Sequence, residues 1–185
     1  MGYALAEELA SHGAEVILVS GPVSVIAVHP GIQVKRVQTA EQMLRECLEI
    51  FGKTDGAILS AAVADFRPKS PVTHKIKRKE ADINLVLEPN PDIAATLGRL
   101  KTDRQFLAGF ALETEDGLKH AQEKLQRKNF NFIVLNSLSD KGSGFNSDTN
   151  KITIIGRSNK PVEFELKSKQ DVAADIVEFL ANQIL

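Results

Sequence analysis

This 185-residue chain has no tryptophan, one tyrosine and one cysteine. No apolar run reaches the roughly 18 residues that a membrane-spanning helix needs, and no basic, apolar, small-residue leader opens it. A single Cys47 excludes an internal disulfide and a cysteine metal cluster. Its neighbours Met43, Leu44, Leu48 and Phe51 recur at helical spacing, which points to a buried apolar thiol and away from a nucleophile. An excess of charge is missing too: 23 basic and 24 acidic residues leave a net charge of -1. That gives no general attraction for polyanions, so neither nucleic acid nor an anionic membrane is an expected partner. A Gly-x-Gly-x-x-Gly turn and a Tyr-x-x-x-Lys pair are both absent, the only tyrosine being Tyr3, and a short nicotinamide-dependent reductase would want both. Internal repeats, low-complexity tracts and linkers are also lacking. The expectation is a single cytosolic domain, large enough to bury a full core.

What is present is an alternation of helix and strand signals. Ala4 to His12 is helical and closed by Gly13, and "EVILVSG" follows as a buried strand. "VKRVQT" is a second strand, with Thr39 placed to cap a helix from Ala40 to Phe51. "GAILSAAVAD" (56–65) starts as a strand buried on both faces and ends in small side chains and a carboxylate. "INLVLE", "FLAGFAL" and "FIVLNS" read as further strands, separated by helices over Pro91 to Leu100 and Glu115 to Arg127. "KITIIG" and "VEFELK" around "RSNKP" form a hairpin, and a helix from Gln170 to Ile184 closes the chain. This order predicts an α/β domain with a mostly parallel central sheet.

Open parallel sheets bind ligands just beyond the carboxyl ends of their strands. The thin end at Ser60, Ala61 and Ala62 therefore reads as a pocket floor with Asp65 at its rim, or as alanines over which a helix packs closely. Residues 66–82, "FRPKSPVTHKIKRKEAD", are a long charged loop directly downstream. Its cations Arg67, Lys69, Lys75, Lys77, Arg78 and Lys79 suit a phosphate-bearing ligand, or else a solvated surface. "SDKGSGFNSDTN", after another strand end, is a turn cluster or a loop closing over the same edge.

The segments "AAVADFRP", "KIKR", "NPDIAA", "GFALET", "KLQRKN" and "GFNSDTN" together resemble, in order and spacing, the phosphopantothenate-cysteine ligase family, the phosphopantothenoylcysteine synthetases. The resemblance covers essentially the whole chain. It implies a Rossmann-like α/β fold with helices on both faces and a flap over about 66–82. It also implies a homodimer paired near that flap, and CTP-dependent joining of 4'-phosphopantothenate to L-cysteine with a divalent cation such as magnesium. The substrate carboxylate would attack the α-phosphate of CTP, release pyrophosphate and leave an acyl-cytidylate, from which the cysteine amine expels CMP. No flavin is expected in this chain.

Carried over residue by residue, the family's nucleotide-binding positions fall on Leu59, Ser60, Ala61, Asp65, Lys75, Pro91, Asp92, Ile93, Ala94, Phe110, Lys124 and Lys128. Leu59 to Ala61 would read a base edge through their peptide groups, and Asp65 would hold ribose hydroxyls or the metal. Lys75 matches the catalytic lysine. The "NPDIAA" segment supplies a helix start whose free N–H groups at Asp92, Ile93 and Ala94 form an anion or carbonyl site, or are simply capped. Phe110 would stack on the base or fill the core. Lys124 and Lys128, four apart, share a helix face.

The chain departs from the family at its start. There the "MG" that opens this sequence follows a strand, a Gly-rich turn and an Ile-Ser-Asn motif, and a decarboxylase half is usually linked. Two neighbouring strands are then expected to have unpaired edges unless another segment fills the gap. Ligase turnover is expected at least about a hundredfold below that of a version extended upstream, the scale of losing one oriented transition-state donor. A non-catalytic nucleotide-binding or dimerisation module is the alternative.

Overall fold

A computed structural model describes residues 1–72, 74–77, 84–113, 116–137 and 148–184. Along the chain run α1 (Gly2–Ser11), β1 (Val16–Ser20), β2 (Ile32–Arg36), α2 (Ala40–Phe51), β3 (Gly56–Leu59), β4 (Phe66–Pro68), β5 (Leu87–Pro89) and α3 (Ile93–Leu100). They are followed by β6 (Phe106–Glu113), α4 (Gly117–Arg127), β7 (Phe132–Ser137), β8 (Thr149–Asn150), β9 (Ile152–Gly156), β10 (Pro161–Glu163), β11 (Lys167–Ser168) and α5 (Lys169–Ile184). Local signals set several of these boundaries. Thr39 accepts from the Gln42 N–H at 3.1 Å while the Gln42 side chain accepts from the Thr39 N–H at 3.2 Å, a reciprocal cap that starts α2 where expected. Gly13 stops α1 with φ +88°, a conformation that a side chain would strain. No described helix is long and apolar enough to cross a membrane.

The main sheet has the order β10-β9-β7-β6-β3, with β3, β6 and β7 parallel and the β9–β10 hairpin antiparallel. β7 is paired on both sides, and its side chains alternate between two cores. Phe132 and Val134 join Leu5 of α1, Ile152 and Ile154 of β9, and Val172 and Ile176 of α5. Ile133 and Leu135 join Phe51 of α2, Leu97 of α3, Leu125 of α4 and Phe130 on the other face. Helices therefore cover both faces, as the alternating pattern predicts. Each such large apolar side chain contributes about 1.5–3 kcal/mol on burial.

β1 and β2 stand apart as a parallel pair, in register from Val16↔Ile32 to Ser20↔Arg36. Among the described residues the second edge of β1 and the second edge of β3 have no ladder partner. Both face one cavity of about 1160 Å³, which Leu5, Ala6 and Leu9 of α1 and Ile50 and Phe51 of α2 also line. The strand expected over Gly56 to Val63 ends at Leu59, and both of its faces meet a core as expected, Ile58 packing on one side and Ala57 and Leu59 on the other. All four residues are only half-buried, because the second edge of β3 opens onto the cavity.

Other boundaries differ for local reasons. "VKRVQT" is shifted toward its start: the ladder covers Ile32–Arg36, and Val37 adds only its N–H to the Ser20 carbonyl at 2.9 Å. Of "INLVLE", Ile83 lies outside the described residues and only Leu87 and Glu88 are in a strand, which Pro89 ends. That strand pairs with β4 in a two-stranded ribbon separate from the main sheet, because Leu85, Val86 and Leu87 are exposed and find no core. Pro68 and Pro89, lacking N–H donors, confine its ladder. β10 ends at Glu163, and the chain pairs again at Lys167–Ser168 with β8. α4 starts at Gly117 after a left-handed Asp116, Glu115 lying outside the described residues. Most of "SDKGSGFNSDTN" also lies outside them.

The close docking of α3 against the end of α4 leads to a test. Asn129 Nδ2 donates to the Gly98 carbonyl at 2.9 Å, and a Cβ on Gly98 would sit 2.1 Å from the Lys128 carbonyl oxygen. Gly98→Ala should lower stability by about 2 kcal/mol, the clash outweighing the roughly 1 kcal/mol that alanine gains as a helix former. Thermal unfolding would read this as a clear fall in Tm.

Candidate functional site

β3 ends at Leu59, and Ser60 to Ala64 run on without pairing in a strand. Ala61 to Ala64 are exposed with no helix over them, and Ser60, Ala61, Val63, Ala64 and Asp65 line the cavity between β1 and β3, whereas Ala62 does not. The floor expected at Ser60, Ala61 and Ala62 is thus formed by the first two alone. Two bonds fix its rim. The Asn90 N–H donates to the Asp65 carbonyl at 2.8 Å, and Asn90 Nδ2 donates to the Ala64 carbonyl at 2.8 Å. The strand end is thereby stapled to the segment that begins α3.

That segment corrects one boundary. The helix starts at Ile93, with Asp92 as its cap in an extended conformation (φ -77°, ψ 94°), two residues later than Pro91. The Asp92 Oδ1 accepts from the Ala95 N–H at 2.9 Å. The first-turn N–H groups left without a helical acceptor are those of Ile93 and Ala94, so Asp92 contributes a cap where a free donor was expected. A proline two residues before the helix start, followed by Asp, is a capping signal that competes with the proline-first reading.

Of the expected contacts, Leu59, Ser60, Ala61, Asp65, Pro91, Asp92, Ile93, Ala94 and Phe110 line one continuous cavity. Phe110 packs against the core beneath α1 and α5, as one of the two readings foresaw, and it also lines the cavity. Lys75, Lys124 and Lys128 do not line it. Lys75 is exposed beyond the β4–β5 ribbon. Lys128 Nζ lies 3.1 Å from Asp92 Oδ1, so two residues foreseen as ligand contacts hold each other. This pair braces the first turn of α3 against the end of α4. Arg78 and Lys79 lie outside the described residues.

The sequence pointed to Asn90 only as a helix start. The signal for its stapling role was its place directly before a proline, where the backbone stays extended and a short amide can reach neighbouring carbonyls. Gly2 is a second such residue. Its Cβ position lies 2.8 Å from Ser60 Oγ, so the first turn of α1 touches the thin strand end.

Burial, reinforced by Glu46, pushes the Cys47 thiol up to about 11, so it is protonated at neutral pH and is no nucleophile. Among the described residues no three His, Cys, Asp or Glu side chains gather into a metal cluster. Asp65 at the cavity rim fits a magnesium ion that arrives on phosphates, since such ions take one or two carboxylates together with phosphate oxygens and water.

Burial raises the Asp92 carboxyl, but the Ala95 N–H and the Lys128 ammonium outweigh it, and the net pKa lies below the ordinary value. A depressed carboxylate stabilises the fold fully above its unfolded pKa, about 3.9, and loses that contribution as pH falls through the lower folded value. Asp92→Ala should therefore cost about 1 kcal/mol at pH 7, mainly through the lost cap. The half-exposed ion pair adds little. The Tm difference from the unmodified chain should shrink as pH falls below about 4.

A family model described as the DNA/pantothenate metabolism flavoprotein C-terminal domain matches residues 1–184. The chain is 50% identical over 177 residues to a cysteine/cysteine sulfinic acid decarboxylase from an unknown prokaryotic organism, covering 96% of this chain and 49% of that protein. It is 40% identical over 181 residues to the coenzyme A biosynthesis bifunctional protein CoaBC of Bacillus subtilis (strain 168), covering 98% of this chain and 44% of that one. The chain thus spans about half the length of the curated relatives it matches. Among solved structures it is similar to the C-terminal domain of CoaBC, with a TM-score of 0.81 and 36% identity, covering 99% of this chain and 83% of that one. At 17% identity, a likeness that concerns the fold alone, it also matches a Cab2 mutant in complex with phosphopantothenate-cysteine, with a TM-score of 0.69, covering 100% of this chain and 79% of that one. These matches bear out the resemblance carried by the motifs.

Proposed function

The chain belongs to the DNA/pantothenate metabolism flavoprotein C-terminal domain family, and on that premise we propose that it is a phosphopantothenoylcysteine synthetase domain, joining 4'-phosphopantothenate to L-cysteine at the expense of CTP. The observation that carries this reading is the convergence of the β3 end, Asp65 and the first turn of α3 on one cavity. A nucleotide needs a backbone edge for its base, a carboxylate for ribose or metal, and N–H groups for its anions, and these three elements supply them. The Cab2 complex adds a protein of the same fold that binds phosphopantothenate-cysteine.

A carboxylate is a poor acyl donor because its leaving group would be oxide. Joining it to CMP replaces oxide with a stabilised phosphate. A carboxylate oxygen attacks the α-phosphorus while the bond to the departing pyrophosphate breaks. The cysteine nitrogen then attacks the acyl carbon, a C–N bond forms, and CMP leaves. The Leu59 to Ala61 backbone reads the cytosine edge and orients the nucleotide. The Ile93 and Ala94 N–H groups hold anionic or carbonyl oxygens, and Lys75, brought in on the 66–82 flap, neutralises charge that develops on the reacting phosphate and carbonyl. A magnesium ion, when bound, would be held by Asp65 and would offset phosphate charge. The cavity's apolar walls exclude water from the activated acyl group. Lys128 meets the start of α3 through Asp92, Lys124 serves the same ligand from one turn earlier on α4, and the subunits pair as a homodimer near the flap.

A second reading is a module that binds nucleotide without turning it over, and the open seam between β1 and β3 favours it. CTP titration beside a pyrophosphate-release assay separates the two. CTP with magnesium should bind more tightly than ATP and release pyrophosphate only when phosphopantothenate is present. Lys75→Ala should reduce that release at least about a hundredfold while moving stability by less than about 0.5 kcal/mol. Equal or tighter ATP binding would refute the CTP preference. CTP binding without pyrophosphate release would leave the binding module.

A further inference from the structure

The gap between β1 and β3 has four sides, and they match the four sides of a single strand. Two of them are backbone edges. The Val16 N–H is bonded to the β2 side and the Asp55 carbonyl to the β6 side, and successive strand residues direct their N–H and C=O to opposite edges. Ile17 and Val19 of β1 and Gly56 and Ile58 of β3 therefore aim theirs into the seam, where no described strand pairs with them. The other two sides are helices. α1 covers the gap on the face of Ile58 and α2 on the face of Ala57 and Leu59, and both also pack on β1, so they hold the edges apart. The two edges run the same way. Tyr3 Oη donates to Ser20 Oγ at the end of β1 at 3.0 Å, and Gly2 meets Ser60 just beyond the end of β3. The first turn of α1 thus marks the carboxyl end of each.

We propose that this seam is a docking slot for an extended apolar segment of another polypeptide, as long as the 5 residues of β1, which enters parallel to β1 and β3 and pairs with both at once. The charged residues of the lining, Glu15, Lys53, Asp55, Asp65 and Asp92, all lie outside the spans of β1 and β3, so the slot between is uncharged. Side chains of the occupant alternate between Leu5 and Leu9 of α1 and Met43 and Ile50 of α2. That calls for apolar residues throughout, the pattern of a strand covered on both faces. An acyl chain would fill the volume yet leave the N–H and C=O groups of both edges unpaired, which burial makes costly. Outer strands of a second copy fit poorly: β2 carries Lys35 and Arg36, and β10 carries Pro161 and Glu163. Either would bring charge into an uncharged slot. The slot takes its peptide whether or not CTP is turned over at its mouth.

The test adds the acetylated and amidated peptide Lys-Gly-Val-Ile-Val-Val-Ile-Gly-Lys to the 185-residue chain and follows amide hydrogen exchange residue by residue by NMR. At about a hundredfold excess over its Kd, the peptide should slow the Ile17, Val19, Gly56 and Ile58 amides about a hundredfold. Two N-methylated forms separate the edges. Methyl groups on the first, third and fifth apolar residues block one ladder, and on the second and fourth the other. Each form should bind at least about tenfold more weakly. Undiminished binding by either form, or slowing in only one of the two strands, would mean addition to a single edge and overturn the slot. Equal slowing by laurate would make the seam a pocket for apolar small molecules. A dimer in sedimentation whose four amides are slow without peptide would assign the seam to a second copy. Either result overturns the proposal, as does no slowing at about 1 mM peptide. None of these readouts uses CTP, so the ligase reading stands or falls separately.

Discussion

The fold depends on the alternation of side chains along β7. With both edges paired, to β6 and to β9, this strand has no polar backbone left to satisfy, and each successive residue from Phe132 to Leu135 enters a different core. Moving its register by one residue would exchange the two cores and place every partner out of contact. The helices are fixed in consequence: α1 and α5 belong to one set of side chains, and α2, α3 and α4 to the other. The thin end of β3 is held in place through β6, the neighbour β7 supports.

Much of this was legible in the sequence where one local rule decided the outcome. The Thr39 and Gln42 pair announced the start of α2, Gly13 the end of α1, and "KITIIG … VEFELK" the hairpin. The misses occurred where tertiary surroundings decide. "INLVLE" has the composition of a sheet strand, yet Leu87 and Glu88 ended in a ribbon with no core to cover, and composition does not reveal what lies opposite. "GAILSAAV" was read as one strand, yet pairing stops at Leu59, because an apolar run reports affinity for a core and not the presence of a neighbour at each edge. "VKRVQT" was misplaced by two residues because the register depends on the partner β1, which an alternating pattern alone does not fix.

The candidate site divided along similar lines. Residues whose contribution is a backbone position, Leu59 to Ala61 and Ile93 to Ala94, converge on one cavity as the motifs implied. Charged residues were harder to place, because a carboxylate or an ammonium goes to whichever partner the packing offers. Asp92 and Lys128 are each other's partners, and Arg67, counted among the loop's cations, is held by two carboxylates. Sequence spacing shows that Lys124 and Lys128 share a helix face. Only the docking of Gly98 against the Lys128 carbonyl shows which neighbour that face meets.

The seam between β1 and β3 and the floor of the site belong to a single cavity. A molecule large enough to reach from Ser60 and Asp65 to the walls of the seam would link its own occupancy thermodynamically to the cohesion of the two sheets. A ligand that binds only the closed arrangement adds RT ln(1 + [L]/Kd) to its stability, about 2.7 kcal/mol at a hundredfold excess over Kd. By the same reciprocity, any change that draws β1 toward β3 tightens the ligand by an equal free energy. For such a ligand, the resistance of the seam to opening and the grip on the ligand would be one quantity, measured from two ends.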